Sequence, residues 1–146
     1  MILRKIIIEF TDDPNEVRNK GVGDYYTQSD GTEIVRSYCK ERSLKWRLWS
    51  YMCMIHEMTE KELTDIRGIK EPDIDAFDAW YISEGFEVEP GDHPNCIYKK
   101  EHRSSEMIER YLCEQFGLDW FEYFDNYKIP EDFKYNDNYG KDQSEK

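Results

Sequence analysis

His56, Glu57 and Glu60 belong to the segment His56-Glu57-Met58-Thr59-Glu60. On a helix the first and last of these lie four residues apart and project from one face, where an imidazole nitrogen and a carboxylate oxygen can hold one metal ion. Glu57 projects about a third of a turn away. In zinc hydrolases with an H-E-x-x-H segment, that geometry lets the glutamate reach a metal-bound water as general base while the i and i+4 residues hold the metal. Here glutamate stands where the second histidine would be, so the expected ion is Zn2+ or another divalent metal, and a third ligand must come from elsewhere. The apolar run Tyr51-Met52-Cys53-Met54-Ile55 leads straight into the segment, so this turn is expected to be packed. A buried His-Glu-Glu cluster needs a counter-charge, which a metal ion supplies. The competing account is an ordinary helix histidine beside surface glutamates, because so acidic a chain matches the pattern by chance in about one case in twenty.

Two further histidines are available, His93 and His102. His102 repeats the i, i+4 spacing with Glu106 and lies two turns from Glu109 on one face, so either pair can complete a site. The alternative for His102 is a solvated residue amid Lys99, Lys100 and Arg103. His93, in a Pro-flanked loop, is expected to be an exposed loop histidine. Asp73 and Asp75 suit the positive end of a helix dipole. Asp78 lies one turn after Ile74 and beside Phe77 and is expected to point inward, either ligating the metal or orienting a histidine. Asp92 is a weaker candidate of the same kind. The chain contains no G-x-G-x-x-G, P-loop or G-x-S-x-G pattern.

Positioning these groups calls for a core. A length of 146 residues suits one compact domain, and although only 38% of residues are hydrophobic, 15% are aromatic and bury large areas each. Residues 2 to 10, rich in isoleucine, read as a strand ended by Thr11-Asp12-Asp13-Pro14. Strands of about 24 to 28 and 32 to 39 flank Ser29-Asp30-Gly31 as a hairpin. Ser43 caps a helix running to about Arg67, with Gly68 closing it. A second helix starts near Pro72 and ends at Gly85. A loop spans 86 to 98, and a third helix runs from about Lys99 to Phe116 before Gly117. Asp119 caps a short fourth helix through Trp120, Phe121 and Phe124, whose aromatic cluster reads as core and lid. The fold class expected is α+β: a small antiparallel sheet, made of the N-terminal strand plus the hairpin, packed with three main helices and a short C-terminal one. One domain is expected over 1–129, and a flexible polar tail over 130–146.

Thirty-two acidic against twenty basic residues give a net charge of −12, a field that disfavours nucleic-acid binding. Cys39, Cys53, Cys96 and Cys113 show no metal or disulfide spacing and read as structural thiols. No stretch approaches the about eighteen apolar residues of a membrane span. MILRKIIIEF lacks the features of a signal peptide, so the cytoplasm is the expected location.

The ordered blocks Gly23-Asp24-Tyr25, His56-Glu57-x-x-Glu60, Asp75-Ala76-Phe77-Asp78, Pro90-Gly91-Asp92, Glu101-His102 and Ile108-Glu109-Arg110 resemble a family of small uncharacterised proteins of phages and prophages. The similarity covers about residues 21 to 121. Members look like minimal zincin-like proteins in which a strand and hairpin precede an H-E-x-x-E helix. The resemblance implies His56, Glu60 and His102 as ligands, with Glu57 as base, and matches Asp78 and Glu109 to further polar positions. The chain departs from the pattern in having Tyr25 where tryptophan is commoner, and in its tail beyond Pro130. The leading expectation is a metal-dependent hydrolase acting on a peptide or protein, located in the host cytoplasm if phage-encoded. The alternatives are a non-enzymatic acidic protein that binds and inhibits a host factor, and a simple acidic fold without metal.

Overall fold

The structure is a computed structural model, describing residues 1–86 and 89–139. Three strands, β1 (Ile6–Thr11), β2 (Gly23–Thr27) and β3 (Glu33–Tyr38), form one sheet in the order β1-β3-β2. Strands β2 and β3 make the expected hairpin, with Tyr25 opposite Val35. Strand β1, however, pairs β3 in parallel, Ile8 aligning with Val35, so the sheet is mixed rather than antiparallel. The cause lies in the crossover. Residues 12–22 form two 3-10 turns, Pro14–Glu16 and Arg18–Lys20, anchored by the fully buried Val17 and by Arg18, whose guanidinium holds Asp24 at 2.6 Å. This crossover carries the chain past β3, so β2 lands on the far side and the hairpin returns β3 alongside β1. The N-terminal strand also begins later than expected: Met1, Ile2 and Leu3 are exposed, because β3 offers no partner before Glu33.

Among the described residues there are four α-helices, all near their expected places. Helix α1 (Leu44–Ile66) starts where the Ser43 side chain accepts the Trp46 N–H. Helix α2 (Glu71–Ser83) places Pro72 in its first turn, where a missing N–H costs nothing. Helix α3 (Lys99–Gln115) ends before Gly117, whose positive φ of 69° allows the chain to reverse. Helix α4 (Trp120–Asn126) begins where Asp119 accepts the N–H groups of Phe121 and Glu122.

Helix α1 is the spine of the molecule. One side lies on the sheet, where Met54 joins Tyr25, Val35, Ile74 and Tyr98 in a common core. The other side packs with α3 and α4 through Trp49, Met52, Cys53, Cys113, Tyr123 and Tyr127. Cys53, Cys96 and Cys113 are buried free thiols and Cys39 is half-buried. Residues 130–139 of the segment expected to be a tail return to the crossover: the Tyr139 hydroxyl donates to Val17 C=O at 2.7 Å, and Asn15 Oδ1 accepts the Asn136 N–H at 2.8 Å. The rest of that segment, 140–146, lies outside the described residues. No described helix is long and apolar enough to cross a membrane.

Candidate metal centre

Helices α1 and α3 lie side by side, and the site forms where their polar positions meet. The three-to-four spacing that buries Met52 and Cys53 also turns His56 and Glu60 toward α3. Helix α3 answers with His102 in its first turn and Glu109 two turns on, both buried. His56 Nε2, Glu60 Oε2 and His102 Nδ1 stand at the corners of a triangle whose three edges are each 3.1 Å. The triangle thus joins the three residues that the motif and the resemblance single out.

Each corner is held from behind. The outer nitrogen of His56, Nδ1, lies 2.7 Å from Glu109 Oε1, and the Tyr123 hydroxyl donates to the other oxygen of Glu109. The Tyr25 hydroxyl donates to Glu60 Oε1 at 3.1 Å, which leaves Oε2 for the triangle. The His102 ring rests on Gly91 of the 3-10 turn Pro90–Asp92: a Cβ at that glycine would lie 2.2 Å from the ring's Cγ. Asp92 Oδ1 is 3.8 Å from the outer nitrogen of His102. These contacts orient imidazoles and carboxylate as metal-ligating groups are oriented in known centres.

The donor set fits a small divalent ion. Zinc bonds to nitrogen and oxygen of about 2.05 Å, directed tetrahedrally, put neighbouring donors about 3.3 Å apart. The observed edges come within a few tenths of an ångström of that. Local charge agrees: the buried Glu60 and Glu109 and the half-buried Glu57 lie beside two imidazoles, an excess of carboxylates that is costly without a cation.

The electrostatics of the isolated side chains follow from this crowding. Burial alone would lower the His56 pKa, but hydrogen bonds to Glu109 and Glu60 outweigh it and raise it well above the ordinary value. Burial raises Glu60, yet its contacts with His102 and His56 hold it down at about 2. Glu57 has no such partner, so burial, then the neighbouring Glu60 carboxylate, push it well above the usual carboxyl range. Glu57 lies against strand β2, where a Cβ at Gly23 would meet its Oε1 at 2.7 Å. It also borders both cavities at the site. One, of about 150 Å³, is lined by His56, His102, Glu89 and Glu109. The other, a cleft of about 950 Å³, runs past Gly23, Glu60, Asp78, Phe86 and Tyr98.

The other candidates go elsewhere. Asp78 is not in the triangle and orients no histidine: its Oδ1 accepts the Tyr98 hydroxyl at 2.6 Å on the wall of the larger cleft, and burial raises its pKa to about 7. Asp75 does more than meet a helix dipole, since Arg18 donates to it at 3.3 Å. His93 is neither a ligand nor an exposed loop histidine. It packs among Phe77, Trp80, Tyr81 and Phe86, because the loop folds back over α2. His102 is buried rather than solvated among its lysine neighbours. The reading from sequence missed Tyr25, Tyr98 and Tyr123 as supports, and Glu89 as a carboxylate lining both cavities. Strand alternation assigns Tyr25 a face, but no sequence signal points it at Glu60.

The chain matches no family model, no curated protein and no solved structure.

Proposed function

We propose that this chain is a zincin-like, divalent-metal-dependent hydrolase of amide bonds in peptides or proteins. The observation that carries the reading is the convergence of His56, Glu60 and His102, from two helices, with donor atoms 3.1 Å apart. When bound, the ion supplies Lewis acidity toward a carbonyl group. Glu57 borders both cavities at that point and is placed to act as general base: it takes a proton from the attacking water and returns it to the departing amine as the C–N bond breaks.

The form of the cleft favours an extended backbone as substrate. The Asp24, Tyr26 and Gln28 positions of β2 face β3, as the Gln28 N–H to Thr32 C=O bond shows. The backbone of Gly23 therefore faces outward beside Glu57, while the next outward carbonyl, that of Tyr25, already accepts from Arg18 at 3.1 Å, so a peptide backbone can pair with this edge at Gly23. The resemblance to phage and prophage proteins supplies the setting, the cytoplasm of an infected host.

Metal analysis of the purified protein tests this. About one equivalent of zinc or another transition metal is expected, lost in both His56→Ala and His102→Ala. Glu57→Gln is expected to keep the metal while peptide hydrolysis falls by at least about a hundredfold. Absence of metal, together with failure of added zinc to bind, would refute the reading. The −12 charge would then favour the alternative, an acidic protein that docks on a basic host factor.

A further inference from the structure

The sheet has a second edge, far from the metal centre, and its chemistry is self-complementary. We propose that the outer edge of β1 is the contact through which two copies of this chain associate, antiparallel and edge to edge, about a two-fold axis at Ile8. This stands independently of the hydrolase reading.

The backbone register sets the geometry. Within one copy the parallel ladder uses the odd-numbered residues of β1: Lys5 C=O accepts the Glu33 N–H and Thr11 C=O accepts the Cys39 N–H. The N–H and C=O groups of Ile6, Ile8 and Phe10 therefore point away from β3, and no described strand pairs with them. An exposed edge of this kind is a template for another strand. In an antiparallel pairing those residues must oppose one another, Ile8 facing Ile8 and Ile6 facing the second copy's Phe10.

Side chains favour the same arrangement. Ile8 is 41% exposed and Phe10 47% exposed, since α1 packs chiefly on β3 and β2 and reaches β1 at Ile6. Paired as above, their apolar side chains from both copies form one row on the α1 side of a continuous six-stranded sheet. Charge selects the direction. The strand is preceded by Lys5, with Arg4 already held by Glu33 and Glu62, and followed by Asp12 and Asp13, so an antiparallel copy sets Lys5 toward the acidic end, whereas a parallel copy opposes like charges.

The test is sedimentation velocity of the full chain in about 0.15 M salt, where repulsion between the two acidic bodies is screened beyond about 8 Å. It is paired with amide hydrogen exchange read residue by residue. The expected result is a species of twice the 17.7 kDa chain mass whose Ile6, Ile8 and Phe10 amides are protected along with Ile7 and Glu9. Ile8→Pro removes only an outward N–H, so it spares the chain's own ladder. It is expected to yield a monomer with unchanged far-UV circular dichroism, as is Phe10→Lys. A monomer at the highest soluble concentration, with the Ile8 amide exchanging freely, would overturn the proposal. So would a dimer that survives both substitutions.

Discussion

The sharpest test of the metal centre is at a residue that ligates nothing. Gly91 lies beneath the His102 ring, and an alanine Cβ there would sit 2.2 Å from Cγ and 2.4 Å from Nδ1. Ordinary contact begins at about 3.4 Å, so the ring must retreat by about 1.2 Å or the 3-10 turn must shift by as much. The turn does not require glycine for its backbone, since Gly91 is not among the residues with positive φ, and the effect is steric. A retreat of that size is more than half of a zinc–nitrogen bond of about 2.05 Å and takes His102 Nδ1 out of the triangle. Gly91→Ala is expected to weaken zinc binding by at least about a hundredfold, or about 2.7 kcal/mol, and to cost about 1–3 kcal/mol of folding stability through overpacking. The assay is competition with a chromogenic chelator, followed by thermal unfolding with and without zinc. Zinc at a hundred times its Kd stabilises the unsubstituted protein by about 2.7 kcal/mol. For a domain of this size that amounts to about 8 °C in Tm. Gly91→Ala at the same zinc concentration is expected to gain no more than about 1.2 °C. Gly21→Ala is the control, because its Cβ meets nothing closer than 3.7 Å. Wild-type zinc affinity in Gly91→Ala would refute the placement of His102 as a ligand.

Two other outcomes follow from the contacts around the site. Glu109→Gln keeps the shape of the side chain but removes the charge behind His56 Nδ1; zinc affinity is expected to fall about ten- to a hundredfold, and an unchanged affinity by competition titration would contradict an orienting role. Asp78, whose pKa burial raises from an ordinary 3.8 to about 7, ionises in the unfolded chain at a lower pH than in the folded one, so its contribution to stability is fullest below about 3.8 and declines as pH rises toward about 7. Asp78→Asn retains an acceptor for the Tyr98 hydroxyl. The shift sets an upper bound of about 4 kcal/mol, water in the cleft reduces it, and a gain of about 1–2 kcal/mol is expected at pH 8 with none near pH 3.5. Denaturant titration at the two pH values measures it, and a variant no more stable at pH 8 would count against the burial.

What the sequence determined by itself was local. The four helices and the hairpin follow from signals within a few residues of each boundary: the Ser43 and Asp119 caps, Pro72 in a first turn, Asp30-Gly31 between β-prone runs. These act through hydrogen bonds and dihedral preferences of neighbouring residues, so they can be read along the chain. The pairing of His56 with Glu60 was legible for the same reason, since one helical turn joins them. The direction of β1 was not legible, because the consecutive isoleucines Ile6-Ile7-Ile8 suit a parallel and an antiparallel neighbour equally, and only the buried crossover at Val17 and Arg18 carries β2 to the far side of β3. Nor was the environment of His93, whose sequence neighbours suggest solvent but whose loop folds onto the aromatic face of α2. Tertiary packing alone decided that His102, on a helix 46 residues from His56, completes the triangle, and that Gly91, Tyr25 and Glu109 hold it in shape. Such contacts depend on how whole helices lie against one another, and no spacing along the chain encodes that distance.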